Sequence, residues 1–97
     1  MEIQKQKNGS NLTLALSGRL DTVTSGSLEA EVKDLAGVTD LVFDFADLQY
    51  ISSAGLRVLL AAQKTMNKQG SMKVVHVCPD IMEVFEITGF SDILTIE

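Results

Sequence analysis

Ninety-seven residues can bury one small core but not two, so residues 1–97 are read as a single domain. Hydrophobic residues make up 45% of the chain and charged residues 22%, with no Trp and one Pro, which excludes the disordered and fibrous classes. The net charge of −5 arises from thirteen acids against eight dispersed bases. Nucleic acid is therefore not an expected partner, because nonspecific affinity for phosphates needs clustered cations.

The opening stretch "EIQKQKNGSNLTLALSG" alternates on both sides of Asn8-Gly9, a pair that supplies the positive backbone angles of a tight hairpin turn. Leu12, Leu14 and Leu16 share one face of the second strand. In "DTVTSGSLEAEVKDLAG", Ser25 or Ser27 is the expected N-cap of a helix carrying Leu28, Val32 and Leu35, and Gly37 closes it. Glu29, Glu31 and Asp34 form its solvated acidic face. "DLVFDF" is almost continuously apolar, as in a central strand covered on both faces.

Leu56, Leu59, Leu60 and Ala62 then recur at helical spacing, which predicts a helix from Ser53 to about Lys68 with Gly70 as terminator. "SMKVVHV" reads as another inner strand, with His76 beside Val75 and Val77 and on the same face as Cys78. "CPDIMEVFEITGF" predicts a third helix, with Asp80 as N-cap, Glu83 completing a capping box and Gly89 at the end. "DILTIE" alternates as a short closing strand would. A hairpin followed by alternating strands and helices gives the α/β class, with a mixed central sheet of four to five strands. Its strands are parallel wherever a helix crosses over.

"YISSAGLRVLL" places Ser52 and Ser53 where a strand hands over to a helix, the end of an α/β sheet at which functional groups gather. One serine as an N-cap explains one hydroxyl. The second is open to service as a nucleophile or phosphoacceptor, and both readings stand at this point. A hydrolase would need the G-x-S-x-G elbow, or a histidine and an acid converging on the serine; the elbow is missing and His76 is the only candidate base. Asp44 and Asp47 read as an outward strand residue and a turn former. His76 and Cys78 supply two ligands where zinc needs three or four. No catalytic residue, metal or cofactor is expected, nor a phosphate-binding loop, since G-x-x-x-x-G-K-S/T does not occur. Met66, Met72, Met82, Phe85 and Phe90 are read as core filling, and Cys78 as a buried free thiol.

"DLVFDFADLQYISSAGLRVLLAAQK" resembles the central motif of STAS domains, the family of bacterial anti-sigma factor antagonists. In that motif an Asp-bearing strand leads through a Ser-Ser/Thr-Gly-Leu turn into a long helix. The resemblance extends to "LSGRLDTVTSGSLEAEV", matching the family's Gly-x-Leu-Asp, and to "ITGFSDILTI". It implies a STAS-like fold and a binding protein, not an enzyme. Such a protein captures an anti-sigma factor that is also a serine kinase, and thereby frees a sigma factor. It further implies that the phosphoacceptor lies two places before the motif glycine, which from Gly55 is Ser53, and that a PP2C-type phosphatase reverses the modification. The implied docking surface comprises Asp21, Ser52, Ser53, Ala54, Gly55, Leu56 and Arg57. From the residues alone, Asp21 is equally a loop cap. The chain carries Ser52 and Ala54 where the best-known form of the motif has an Asp and a second hydroxyl. Two further readings are a STAS module of a transporter-associated or stressosome-like complex without kinase switching, and a small serine-dependent enzyme.

A single cysteine makes no internal disulfide, "MEIQKQKNGS" lacks the apolar core of a signal peptide, and no apolar run approaches the roughly 20 residues that span a bilayer. A monomer in the cytoplasm, without a membrane partner, is the expectation.

Overall fold

The computed structural model describes residues 1–97. In chain order the elements are β1 (Glu2–Asn8), β2 (Asn11–Leu20), α1 (Ser25–Val32), β3 (Asp40–Ile51), α2 (Ser53–Met66), β4 (Ser71–Val75) and α3 (Pro79–Thr88), followed by a 3-10 turn at Phe90–Asp92. The four strands lie in the order β1-β2-β3-β4. The β1–β2 hairpin is antiparallel, whereas the β2–β3 and β3–β4 pairs, each bridged by a helix, are parallel. This is the mixed α/β sheet that the alternation of elements calls for. Gly9, with φ of 64°, supplies the left-handed residue of the hairpin turn.

The core rests on one face of the sheet. Leu12, Leu14 and Leu16 of β2, Leu41, Phe43 and Phe45 of β3, and Met72 and Val74 of β4 are all buried. Phe45 meets Phe43 edge-on at 6.3 Å and Phe85 of α3 at 6.4 Å between ring centroids. The intervening residues Thr13, Ala15, Val42, Asp44, Lys73 and Val75 are only half-buried, and the strand register sets them side by side on the opposite face. The expectation that "DLVFDF" is covered on both faces is thus corrected: the interleaved set is too small and too polar to bind a second apolar layer.

β3 also runs further than its apolar stretch. Register shifts between Ala15 and Ser17 and between Gly18 and Arg19 leave extra residues in β3. Such bulges turn the strand, so the buried positions change from every second residue to Phe45, Leu48 and Ile51. Through them the polar-looking "ADLQY" remains in the sheet and carries the chain to the end of β2.

Several predicted boundaries move. α1 starts at Ser25 with Thr24 in the cap position, but the Thr24 side chain makes no capping bond to the helix. Leu35 is buried beyond the helix, and Gly37, with φ of 81°, serves the turn that follows. β4 stops at Val75, and His76 leaves the strand in a left-handed conformation with φ of 59°. Cys78, not Asp80, occupies the N-cap of α3, and no side chain caps that helix. Pro79 at the first turn explains the shift: its fixed φ starts the helix and it has no N–H to satisfy. Gly89 ends α3 with φ of 81°, as the sequence predicts. "DILTIE" forms no full strand. Ile96 makes an isolated parallel bridge to Val74, through Val74 N–H to Thr95 O and Glu97 N–H to Val74 O, both 2.9 Å.

Candidate functional site

β2 and β3 end together, with Leu20 and Ile51 in register, and Ser52 N–H donates to Leu20 O at 2.9 Å. Ser52 is extended, with φ −102° and ψ 176°, and is the N-cap of α2. Its Oγ accepts from Gly55 N–H at 3.4 Å. The cap therefore uses the first hydroxyl and releases the second. Ser53, the first helical residue, is exposed, and its hydroxyl takes part in none of the protein's side-chain hydrogen bonds.

Gly55 has an ordinary helical backbone but no room for a side chain. A Cβ there would lie 2.7 Å from Leu20 Cγ and 2.9 Å from Ile51 Cγ1. The motif glycine thus lets the start of α2 sit directly on the ends of both strands. Of the sequence-predicted surface, Ser53 and Arg57 are exposed and Ser52 and Ala54 half-buried. Gly55 and Leu56 are buried and hold the turn from beneath.

Asp21 works as a loop cap. Its Oδ1 accepts from Thr24 N–H at 3.0 Å and Val23 N–H at 3.1 Å, and Thr24 Oγ1 lies 3.0 Å from it. Thr24 Oγ1 also accepts from Asp21 N–H at 2.9 Å and lies 2.8 Å from Arg19 O, so its single proton serves two acceptors. The backbone bond from Thr24 is the largest of the influences that hold the Asp21 carboxyl below the usual carboxylate range. The Thr24 hydroxyl, the Val23 N–H and the Arg19 guanidinium act in the same direction. Asp21 makes no hydrogen bond to Ser53; it follows Leu20, whose carbonyl accepts Ser52 N–H.

Sequence reasoning missed the exposure of Val23 and Tyr50 and the Arg19–Tyr50 stacking. Val23 is 89% exposed at the tip of the loop that Asp21 braces. Tyr50 is 40% exposed, and the Arg19 guanidinium carbon stands 4.0 Å over its ring. Val23 was legible as an apolar residue in a polar turn, whereas the outward position of Tyr50 follows from the β3 bulges. Beside this surface a groove of about 460 Å³ runs between α1 and α2, lined by Glu29, Val32 and Lys33 opposite Ala54, Arg57 and Val58.

His76 lies elsewhere. Its Nδ1 is 2.9 Å from Asp44 Oδ1, which also accepts from Ala46 N–H at 3.0 Å. Seven residues of strand lie between Asp44 and Ser52, roughly 20 Å or more, so no histidine stands beside the Ser53 hydroxyl. Hydrogen bonding, first to His76 and then to Ala46, holds the Asp44 carboxyl below its usual range. A carboxyl depressed in the folded state stabilises above its unfolded pKa, about 4, and the benefit is lost as pH falls through the folded value. Asp44→Ala is therefore expected to cost about 0.5–1 kcal/mol near pH 7, the range for a half-exposed charged hydrogen bond. Denaturant midpoints at pH 7 and pH 3 check this: the gap between variant and native chain should shrink at pH 3, and an equal gap at both would refute the assignment.

No three His, Cys, Asp or Glu side chains gather as a metal site, and Cys78 is a half-buried free thiol with Sγ 3.9 Å from Leu48 O. No helix is long and apolar enough to cross a membrane.

Comparison with known proteins bears directly on this strand-end turn. The "putative anti-sigma factor antagonist BtrV" of Bordetella bronchiseptica is 35% identical over 99% of this chain and 85% of its own length. The anti-sigma-B factor antagonist of Bacillus subtilis is 28% identical over 99% of this chain and 90% of its own. Among solved structures, the anti-sigma factor antagonist SpoIIAA superposes with a TM-score of 0.80 in its unphosphorylated form, at 18% identity over 99% of this chain and 87% of its own. The phosphorylated form of SpoIIAA, from Bacillus, gives 0.78 at 18% identity, over 99% and 91%. The STAS domain pattern matches residues 2–97, taking in both strand ends, the capped serine turn and the glycine beneath it, and the chain belongs to the STAS domain family.

Proposed function

We propose that this protein is an anti-sigma factor antagonist whose docking is switched at Ser53. In the unmodified state it binds a cognate anti-sigma factor, itself a serine kinase, through the Ser53 turn and the exposed side of α2, and so frees a sigma factor. The kinase transfers the γ-phosphoryl group of Mg-ATP to Ser53 Oγ, ADP leaves, and docking is lost. A PP2C-type phosphatase returns the hydroxyl. The observation that carries the reading is an exposed Ser53 hydroxyl left without a hydrogen bond because Ser52 provides the cap.

The surroundings support a contact surface. Val23, on the loop after β2, and Tyr50, near the end of β3, offer exposed apolar and aromatic area. The loop cap at Asp21 ties the Val23 backbone into the turn, which limits the backbone entropy lost on docking. The chain's net charge of −5 and scattered bases continue to argue against nucleic acid as a direct partner.

Incubation of the purified chain with its cognate kinase and Mg-ATP, followed by mass-spectrometric mapping, tests the assignment. Phosphate on Ser53, and none on Ser53→Ala, is expected. An unmodified Ser53, or full modification of the Ser53→Ala chain, rejects it.

A further inference from the structure

Ser53 and Arg57 stand four residues apart in the first turns of α2. Side chains at this spacing share a helix face, with Cβ atoms about 5–6 Å apart, and an anion N-terminal to a cation is the favoured orientation. Arg57 is exposed and unpaired, since the protein's ion pairs join Lys5 to Glu31, Arg19 to Asp21, Lys73 to Glu97 and His76 to Asp44. Across the groove it faces Glu29 and Lys33 of α1, which carry opposite charges. Arg19, the other cation near the turn, is already stacked on Tyr50 and paired with Asp21.

We propose that Arg57 captures the phosphate carried by Ser53 within the same helix, so that modification withdraws a free guanidinium from the docking face as well as adding negative charge to it. The proposal rests on Ser53 being the acceptor. A guanidinium presents a planar fork of donors that matches two phosphate oxygens, whereas a lysine at this position would act as a point charge. Capture folds the phosphate back along α2, toward the α1–α2 groove. The partner then meets a neutralised pair in place of a hydroxyl and a separate cation, and any carboxylate that it aims at Arg57 loses its counter-ion.

The test places phosphoserine at position 53 by encoded incorporation, without any kinase, in the native background and in R57Q and R57K. The phosphate is titrated through its second ionisation by phosphorus NMR. A nearby cation favours the dianion, so the native midpoint should lie about half a pH unit below that of R57Q, with R57K between them. Because Arg57 is exposed, R57Q should keep its fold, which circular dichroism checks. Coincident titrations of the native and R57Q proteins overturn the capture while leaving the acceptor assignment standing. Conversely, a kinase that ignores Ser53 defeats the proposed switch without touching this measurement.

Discussion

Phosphate on Ser53 is expected to weaken binding to the cognate anti-sigma factor about a hundredfold or more, with Ser53→Asp shifting affinity the same way by less and Ser53→Ala binding as the native chain does. The asymmetry follows from the location of the hydroxyl. Ser53 is exposed and its oxygen holds no protein group in place, so alanine removes only a solvated donor and should change stability by no more than about 0.5 kcal/mol. A phosphate brings about −1.5 to −2 charges at neutral pH. At the start of a helix that charge is favoured by roughly 0.3–1 kcal/mol, so the fold should persist. Binding takes the loss instead, because a partner surface shaped for a small neutral hydroxyl must desolvate a bulky dianion. A deficit of about 2.8 kcal/mol there already gives the hundredfold change. Calorimetric titration of the three chains and the phosphorylated protein against the purified partner reads this directly, with unfolding midpoints as the control for stability. Equal affinities for the alanine and aspartate chains would point to an unswitched binding module.

Gly70→Ala should produce a large loss of stability. Gly70 does not adopt a left-handed backbone, so conformational freedom is not its purpose. A Cβ at this position would run into the carbonyl oxygen of Thr39 and lie 2.7 Å from its carbonyl carbon and 2.8 Å from its Cα. That carbonyl accepts Ser71 N–H at 2.9 Å, and Thr39 N–H donates to Ser10 O at 2.9 Å. The collision is therefore backbone against backbone where β3 and β4 begin, and no rotamer relieves it. Overpacking of this kind costs about 1–3 kcal/mol, and at about 2 kcal/mol a domain of this size loses roughly 8–16 °C in Tm. Gly26→Ala, inside α1 with nothing within 4 Å of the added carbon, is the internal comparison. It should stabilise by about 0.4–1 kcal/mol, since alanine has less backbone freedom to lose. A Gly70→Ala protein as stable as the native chain would show that the β3–β4 start is more pliant than its contacts indicate.

The same contrast governs which parts of the protein were legible beforehand. The helix spacing of Leu56, Leu59 and Ala62, the alternation of Leu12, Leu14 and Leu16, and the Asn8-Gly9 turn all express local preferences, and the corresponding elements form where they point. The serine turn was legible for the same reason: a cap requires a hydroxyl at one position, so a second hydroxyl in "ISSAG" asks for another explanation. Local preference could not give the reach of β3, because its bulges arise from register against β2. Nor could it choose between Cys78 and Asp80 as the start of α3, or tell that His76 abandons the strand to meet Asp44.

By itself, the sequence determined the order of the four strands and three helices, the apolar faces of β2 and α2, and the serine pair at the β3–α2 junction, because periodicity and turn chemistry act over a few residues. The tertiary structure alone decided that the sheet is covered on one face, that Val23 and Tyr50 stand exposed, and that Asp21 is consumed in bracing a loop. Those outcomes depend on which strand lies beside which, and how far each ladder runs before two segments distant in the chain meet.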